Sequence, residues 1–470
     1  MDQIDSIRKI IKETNKYEDL YNLPLTLYQS SNLLAEHSKN LSIGIFNVPC
    51  GGFGDVILTK TFNDYLVNWY PNAKVRICTT GPQKYRSIGI TDNLIKLERI
   101  DGSIYDDAEC SGFDKLKFKQ VPRFDIMFVV PIINYTFNYN KFKNLVPYSN
   151  YFNTFTMSEY NGDFPPYTLP IGVGGDNLGI LFNDFKAKQQ TLIKKPYALV
   201  YIQPSPAWGV HARYCFLSYL EMICNKYSKK HPVFQMIIPE WIHEDINYDN
   251  NFYRRVKKVV EKYFKNLTIV YPDEEVSLFE DKSSRSKLTL RGDILPQKRE
   301  IFISLMKDSV NDILVTGDQS LTDIISCCKY KIVWYQIAPW KQGLAKKLSQ
   351  HLPNKYFNTY KTSCGTIDSI SLNINWKTFM EKYDFRKKGK KKINTIITAN
   401  YHQNKKENKN LFKDLVEIIQ KSRKPSLVLK KLNDRYPPKK TKTKRKTKRK
   451  TNKAKSKSKA KSKSKAKSIN

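Results

Sequence analysis

The stretch "FNVPCGGFGDVILTK", Phe46 to Lys60, decides the fold. An apolar run ends, Gly51, Gly52 and Gly54 follow with Asp55 behind them, and apolar residues then recur at helical spacing. Strand, glycine loop and helix open a parallel α/β unit, whose ligands meet the carboxyl ends of the strands. Around it, "LSIGIFNV" (41–48) reads as a buried strand and "DVILTKTFNDYLVNWYP" (55–71) as a helix ended by Pro71. "AKVRICTT" (73–80), "NLIKLERI" (93–100) and "FDIMFVVPI" (124–132) supply further strands.

The glycine loop fits neither common nucleotide motif. A dinucleotide fingerprint needs a third small residue where Ile57 stands, and a P-loop needs a glycine directly before Lys60-Thr61. What remains is a backbone open enough for a ligand to approach. Asp55, at the start of the helix, reads either as a cap favoured by the helix dipole or as a general base aimed at that ligand.

The pattern restarts after "FKAKQQTLIKKP" (185–196). Strands are expected at 196–203, 233–241, 267–272, 311–317 and 331–336, with helices at 215–227, 250–264, 296–309, 319–328 and 341–352. Residues 280–293 read as a surface insertion. The expected fold is α/β, with two Rossmann-like domains facing a cleft. Its parts are an N-terminal helical segment (1–40), a first Rossmann-like domain (41–190), a second (196–352), a helical extension (353–435) and a Lys-rich tail (436–470).

Two loops of the second unit carry candidate ligands. "VTGDQSLTDII" (315–325) repeats the strand, glycine, helix layout. There Gly317 permits close approach, and the N–H groups of Gln319, Ser320 and Leu321 can cradle an anion. Asp318 reads as a helix cap or as an acceptor for sugar hydroxyls. "PSPAWGVHARYCF" (204–216) offers His211 and Arg213, either of which can meet a diphosphate or simply face water.

Net charge is +37 over 470 residues, unevenly placed. Lys439 to Asn470 holds 17 Lys and Arg and no acid, leaving +20 on residues 1–438. This tail has no apolar periodicity and is expected to be disordered. It suits nucleic acid or another polyanion as partner, or serves solubility and targeting alone. No run of about 18 apolar residues suggests a membrane span, and the charged N-terminus does not read as a signal peptide. The eight cysteines form no CxxC pair. Free thiols in a cytoplasmic or other intracellular compartment are expected, and the composition and tail also suit a protein packaged in the virion of a large DNA virus. The six histidines make no HExxH or HxxxH motif, so no metal site is expected.

These loops resemble those of the GT-B glycosyltransferases, most closely the heptosyltransferase-like family, over roughly residues 41–350. The family's small-residue loop and "GD-V/I-L" step match Gly54-Asp55-Val56-Ile57-Leu58. The resemblance gives Asp55 the role of general base. "YIQPSPAWGVHARYCFLSYL" has the shape of the loop whose basic residue contacts donor phosphates, with Arg213 the better match and His211 the reserve. "VTGDQSLTDII" matches the late strand-turn-helix in position but lacks its histidine. The implied activity is metal-independent, inverting transfer from a nucleotide-sugar donor to an unidentified acceptor, with no other cofactor. The first domain then holds the acceptor and the second the donor. Two alternatives stand beside it: a sugar-nucleotide epimerase-like enzyme, and a non-catalytic polyanion-binding protein that keeps the fold.

Overall fold

The computed structural model describes residues 3–15, 20, 41–49, 52–98, 122, 124–132, 154–162, 168–204, 211–328, 330–337, 342–351, 357–362, 365–370, 376–404, 414–415, 417–419 and 421–438. Gly51, the loop 205–210 and the tail from 439 lie outside them, and so does most of the first segment expected to be helical.

The first sheet is parallel, in the order β3-β2-β1-β4-β5-β6. Its strands are β1 (Ser42–Asn47), β2 (Lys74–Thr79), β3 (Leu94–Lys96), β4 (Ile126–Ile132), β5 (Thr154–Ser158) and β6 (Thr168–Leu169). β1 lies between β2 and β4, with Ile45 opposite both Ile77 and Phe128. Strand order reverses between β1 and β4, which makes their carboxyl ends the switch point of a doubly wound sheet. Gly44 is in β1 because the Phe124 ring occupies the space where a Cβ would stand. Helix α1 (Gln3–Glu13) precedes this sheet, while α2 (Gly54–Trp69) and α3 (Pro82–Ser87) belong to its crossovers.

The second sheet centres on β7 (Tyr197–Tyr201), with β8 (Val233–Ile237) on one side and β12 (Asp312–Val315) on the other. Helix α4 (His211–Tyr227) joins β7 to β8, and α5 (Glu240–Tyr248) with α6 (Asn250–Val260) lead on to β9 (Asn266–Val270). The switch point falls between β7 and β12. Both strands are buried on both faces, as their Val, Leu and Ile content demands. Beyond β12 come α8 (Asp318–Cys327), β13 (Ile332–Tyr335) and α9 (Gln342–His351).

Two expectations are corrected. Residues 280–293 are not a surface insertion. β10 (Glu275–Phe279) turns back antiparallel on β9, and β11 (Lys287–Arg291) enters the sheet between β8 and β9, parallel to both. Leu288 and Leu290 are fully buried there, while the charged residues sit only at the strand's ends. The extension 353–435 is not wholly helical either. β14 (Phe357–Thr362) and β15 (Gly365–Ile370) form a hairpin that continues the second sheet beyond β13. Helix α7 (Arg299–Asp308) joins β11 to β12.

The chain then returns to the first domain. Ile180 bridges Asp384, at the junction of α10 (Trp376–Tyr383) and α11 (Phe385–Asn404). Phe385 is fully buried against Phe62, Tyr65 and Trp69 of α2. The Tyr70 hydroxyl meets Asn394 of α11, which fixes α11 along α2. A separate small core joins the two ends of the fold. Ile7 and Ile11 of α1 pack with Leu415, Ile419 and Val428, the last in α12 (Pro425–Arg435). Arg8 Nε donates to Asn433 Oδ1 at 2.9 Å. Among the described residues Cys78, Cys215, Cys224, Cys327 and Cys328 are thiols, and no helix is long and apolar enough to cross a membrane.

Truncating Phe385 opens a cavity under α2. Phe385→Ala is expected to cost about 3–5 kcal/mol in urea unfolding, whereas a loss under about 1 kcal/mol contradicts α11 as a structural part of the first domain.

Candidate functional site between the sheets

Asn47 ends β1 and is buried, so its amide must find partners. Its Nδ2 donates to Val130 O at 2.8 Å, and its Oδ1 accepts from the Tyr85 hydroxyl at 2.6 Å. Thr59 Oγ1 donates to the same carbonyl at 3.2 Å. This polar network locks the carboxyl ends of β1 and β4 beneath the glycine loop. Burial holds the Tyr85 phenol far above its ordinary pKa; the bond to Thr59 lowers it, and the nearby Asp55 carboxylate adds to the rise. Tyr85 therefore stays a donor.

Above the network, Gly52, Phe53 and Gly54 are exposed and Asp55 is half-buried. Phe53, not Asp55, occupies the cap position, and the Ile57 N–H closes the first turn on Phe53 O. Asp55 thus lies inside the first turn, where its charge complements the dipole.

The second turn faces the first. Gly317 caps α8 at φ +81°, a backbone that disfavours any side chain, and a Cβ there would meet nothing within 4 Å. A Cβ on Gly54 would stand 4.0 Å from the Gln319 Cβ, so the amino ends of α2 and α8 abut. The expected cradle is shorter than three amides: the Leu321 N–H closes its turn on Gly317 O at 3.2 Å, and its side chain is buried. Of the three expected amides, those of Gln319 and Ser320 are left for that role.

Asp318 bridges the domains. Its Oδ2 accepts from the Tyr160 N–H, beyond the carboxyl end of β5, at 3.3 Å. The Tyr335 phenol is held far above its ordinary pKa by burial first, then by the Asp318 and Glu159 carboxylates. One turn on, Asp323 is buried and accepts from Arg299 Nη2 at 2.7 Å, Asn183 Nδ2 at 2.8 Å and Gln319 Nε2 at 2.8 Å. Ser326 Oγ takes the Asn183 N–H at 3.2 Å. The Gln336 side chain accepts from the Gln203 N–H at 3.0 Å and donates to the Gln203 carbonyl at 3.1 Å, tying the carboxyl ends of β7 and β13 together.

Arg213 is engaged by carboxylates. It lies in the first turn of α4 rather than in a loop, because α4 begins at His211. Its Nε donates to Asp245 Oδ2 at 2.7 Å and its Nη1 to Asp249 Oδ2 at 2.6 Å, with the guanidinium over the Phe252 ring. The two carboxylates raise its pKa further. The structure thereby ties Arg213 to the corner between α5 and α6. The backbone of His211 opens α4 at the carboxyl end of β7, and its side chain lies outside the described residues.

Sequence reading missed Asn47, Tyr85, Tyr160, Asn183 and Asp323. Asn47 had a signal, being a polar residue inside a buried strand run. Asn183 and Asp323 had none, since their meaning lies in a contact between residues 140 apart in the chain.

No family model and no curated protein matches the chain. Among solved structures it aligns with an alpha-glucosyltransferase in complex with UDP and a 13-mer DNA containing a central A:G mismatch. Identity is 10% and the TM-score 0.31, covering 81% of this chain and 100% of that one. A trehalose-6-phosphate synthase aligns at 11% identity and a TM-score of 0.24, covering 85% of this chain and 78% of that one. Superpositions this loose transfer no residue and no substrate.

Asp323→Ala would leave the Arg299 guanidinium buried without its carboxylate. It is expected to destabilise the fold by about 3–5 kcal/mol and to increase protease cleavage near residue 183. Wild-type stability and cleavage would show that the domains are held by apolar packing alone.

Proposed function

We propose that the chain is a GT-B-type glycosyltransferase that binds a nucleotide-sugar donor between its two sheets. The observation that carries this reading is the meeting of two glycine-to-helix turns, Gly52–Gly54 and Gly317–Ser320, from the carboxyl ends of β1 and β12. Gly51 belongs to the same loop by sequence. Helix amino ends and bare amides suit a diphosphate, and both domains would then contact one ligand.

In the proposed reaction Asp55 takes the proton of an acceptor hydroxyl. The acceptor oxygen forms its bond to the anomeric carbon as the bond from that carbon to the diphosphate breaks, with inversion. The N–H groups of Gln319 and Ser320 receive the charge growing on the departing diphosphate. Leu321 supports the turn through its buried side chain, and Asp318 sets the spacing of the domains rather than holding a sugar hydroxyl. His211 is the basic group left for the donor, since Arg213 is engaged by two carboxylates.

Thermal-shift screening against nucleotide sugars is expected to find a stabilising donor. Asp55→Asn should keep that shift and lower turnover about 10²-fold or more. Gly317→Val should abolish the shift, since a β-branched residue cannot hold φ +81° beside a bound ligand. Full turnover in the Asn variant contradicts the base assignment. An undiminished shift in the Val variant contradicts the donor site.

The tail supports a second role. Its 17 cations without an acid favour a polyanion partner through residues 439–470. Truncation at residue 438 is expected to leave the melting temperature unchanged and to flatten the salt dependence of DNA binding. Equal salt slopes for the two chains would exclude the tail as the binding element.

A further inference from the structure

Helix α5 buries three residues against the second domain, Ile242, His243 and Ile246. That spacing is one apolar face of a helix, yet a histidine stands in the middle of it. The imidazole is packed as a flat ring. It stacks on the Tyr271 ring, just after β9, at 5.0 Å between centroids. A Cβ on Gly292, just after β11, would come within 2.9 Å of Nδ1, so glycine leaves the room that the ring fills. His243 is 7% exposed, and neither Nδ1 nor Nε2 has a hydrogen-bond partner among the described residues. A neutral imidazole brings one N–H into such a site, whereas the cation brings two and a full charge.

The surroundings offset little of that charge. Glu240 and Glu244, on α5 itself, are exposed, so water screens their attraction for a cation. From the strands opposite, the Tyr271 phenol donates to Asn247 Oδ1, with Glu274 acting on that phenol. Arg291 and Asp293, on either side of Gly292, pair with each other at 2.6 Å. Burial lowers the His243 pKa below its ordinary value, against the pull of Glu244 and Glu240. What α5 holds lies beside the candidate site. Asp245, two residues after His243, accepts from Arg213 Nε at 2.7 Å, and Asp249, the cap between α5 and α6, accepts from Arg213 Nη1 at 2.6 Å. Arg213 is in the first turn of α4, two residues from His211.

We propose that His243 is an acid-sensitive latch on the amino end of α4. While the imidazole is neutral, α5 stays seated and Asp245 holds Arg213. Protonation draws the ring into water, lifts α5 and takes Asp245 away from Arg213, which frees the first turn of α4. An open α5 exposes a histidine that takes up its proton near pH 6.5, more readily than the closed one. The latch is therefore fully closed above about pH 6.5 and loses its hold as the pH falls through the lowered value. The proposal does not depend on the glycosyltransferase reading.

The test uses the full chain. Amide exchange followed from about pH 7.5 to about pH 5, corrected for its intrinsic pH dependence, is expected to speed up at residues 240–248 and 211–215 together. The gain is up to about tenfold per pH unit below about pH 6.5, the linkage of one proton. His243→Phe keeps a ring on Tyr271 and should flatten this dependence in both segments. Exchange of the imidazole C2 hydrogen, read by peptide mass spectrometry over the same range, titrates His243 in the wild-type chain and needs no folded variant. Its midpoint is expected below the ordinary histidine value of about 6.5. A midpoint at or above that value would overturn the proposal. So would the same pH dependence of residues 240–248 in the wild type and in His243→Phe, or faster exchange of α5 in acid with residues 211–215 unmoved.

Discussion

The junction of the two domains is built around one buried carboxylate. Asp323 sits in the middle of α8, a helix packed between the two sheets, and a bare carboxylate there would cost several kcal/mol. Its partners come from different parts of the chain: Arg299 from α7, Asn183 from the segment that leaves the first domain, and Gln319 from the helix itself. The set is complete only when the domains meet in one arrangement. That arrangement places Gln319 against Gly54 and the Tyr160 N–H on Asp318. A structural charge network thereby sets the spacing of the turns at Gly54 and Gly317.

The chain's ends reinforce this arrangement. After the second sheet the backbone crosses back and lays Phe385 into the aromatic cluster of α2, so the first domain is finished by residues from the far end of the sequence. Arg386 then pairs with Asp184 at 3.0 Å, one residue beyond Asn183. The helix that carries the glycine loop is thus held by its own sheet on one side and by the C-terminal return on the other.

Local patterns made the two α/β units legible. β1, β7 and β12 are short apolar runs because both their faces are covered, and Gly54 and Gly317 stand where strand gives way to helix. What local patterns could not reveal is pairing at a distance. "KLTLR" reads as polar because its charges sit at the ends, yet Leu288 and Leu290 carry it into the middle of the sheet. "FNTYKT" lies at the sheet edge and "GTIDSI" between it and β13, a pairing with a strand more than 20 residues earlier that no local pattern announces. The position of Arg213 before a helix was visible, while the carboxylates it pairs with lie 32 and 36 residues further on.

The proposed site requires that one ligand be shared by the turns at Gly54 and Gly317. Amide hydrogen exchange of the full chain, with and without saturating nucleotide sugars of each base, tests it most directly. A shared ligand slows exchange at residues 52–57 and 317–320 together, with the same donor producing both effects. Slowed exchange at neither turn, or at one of them alone, would contradict it.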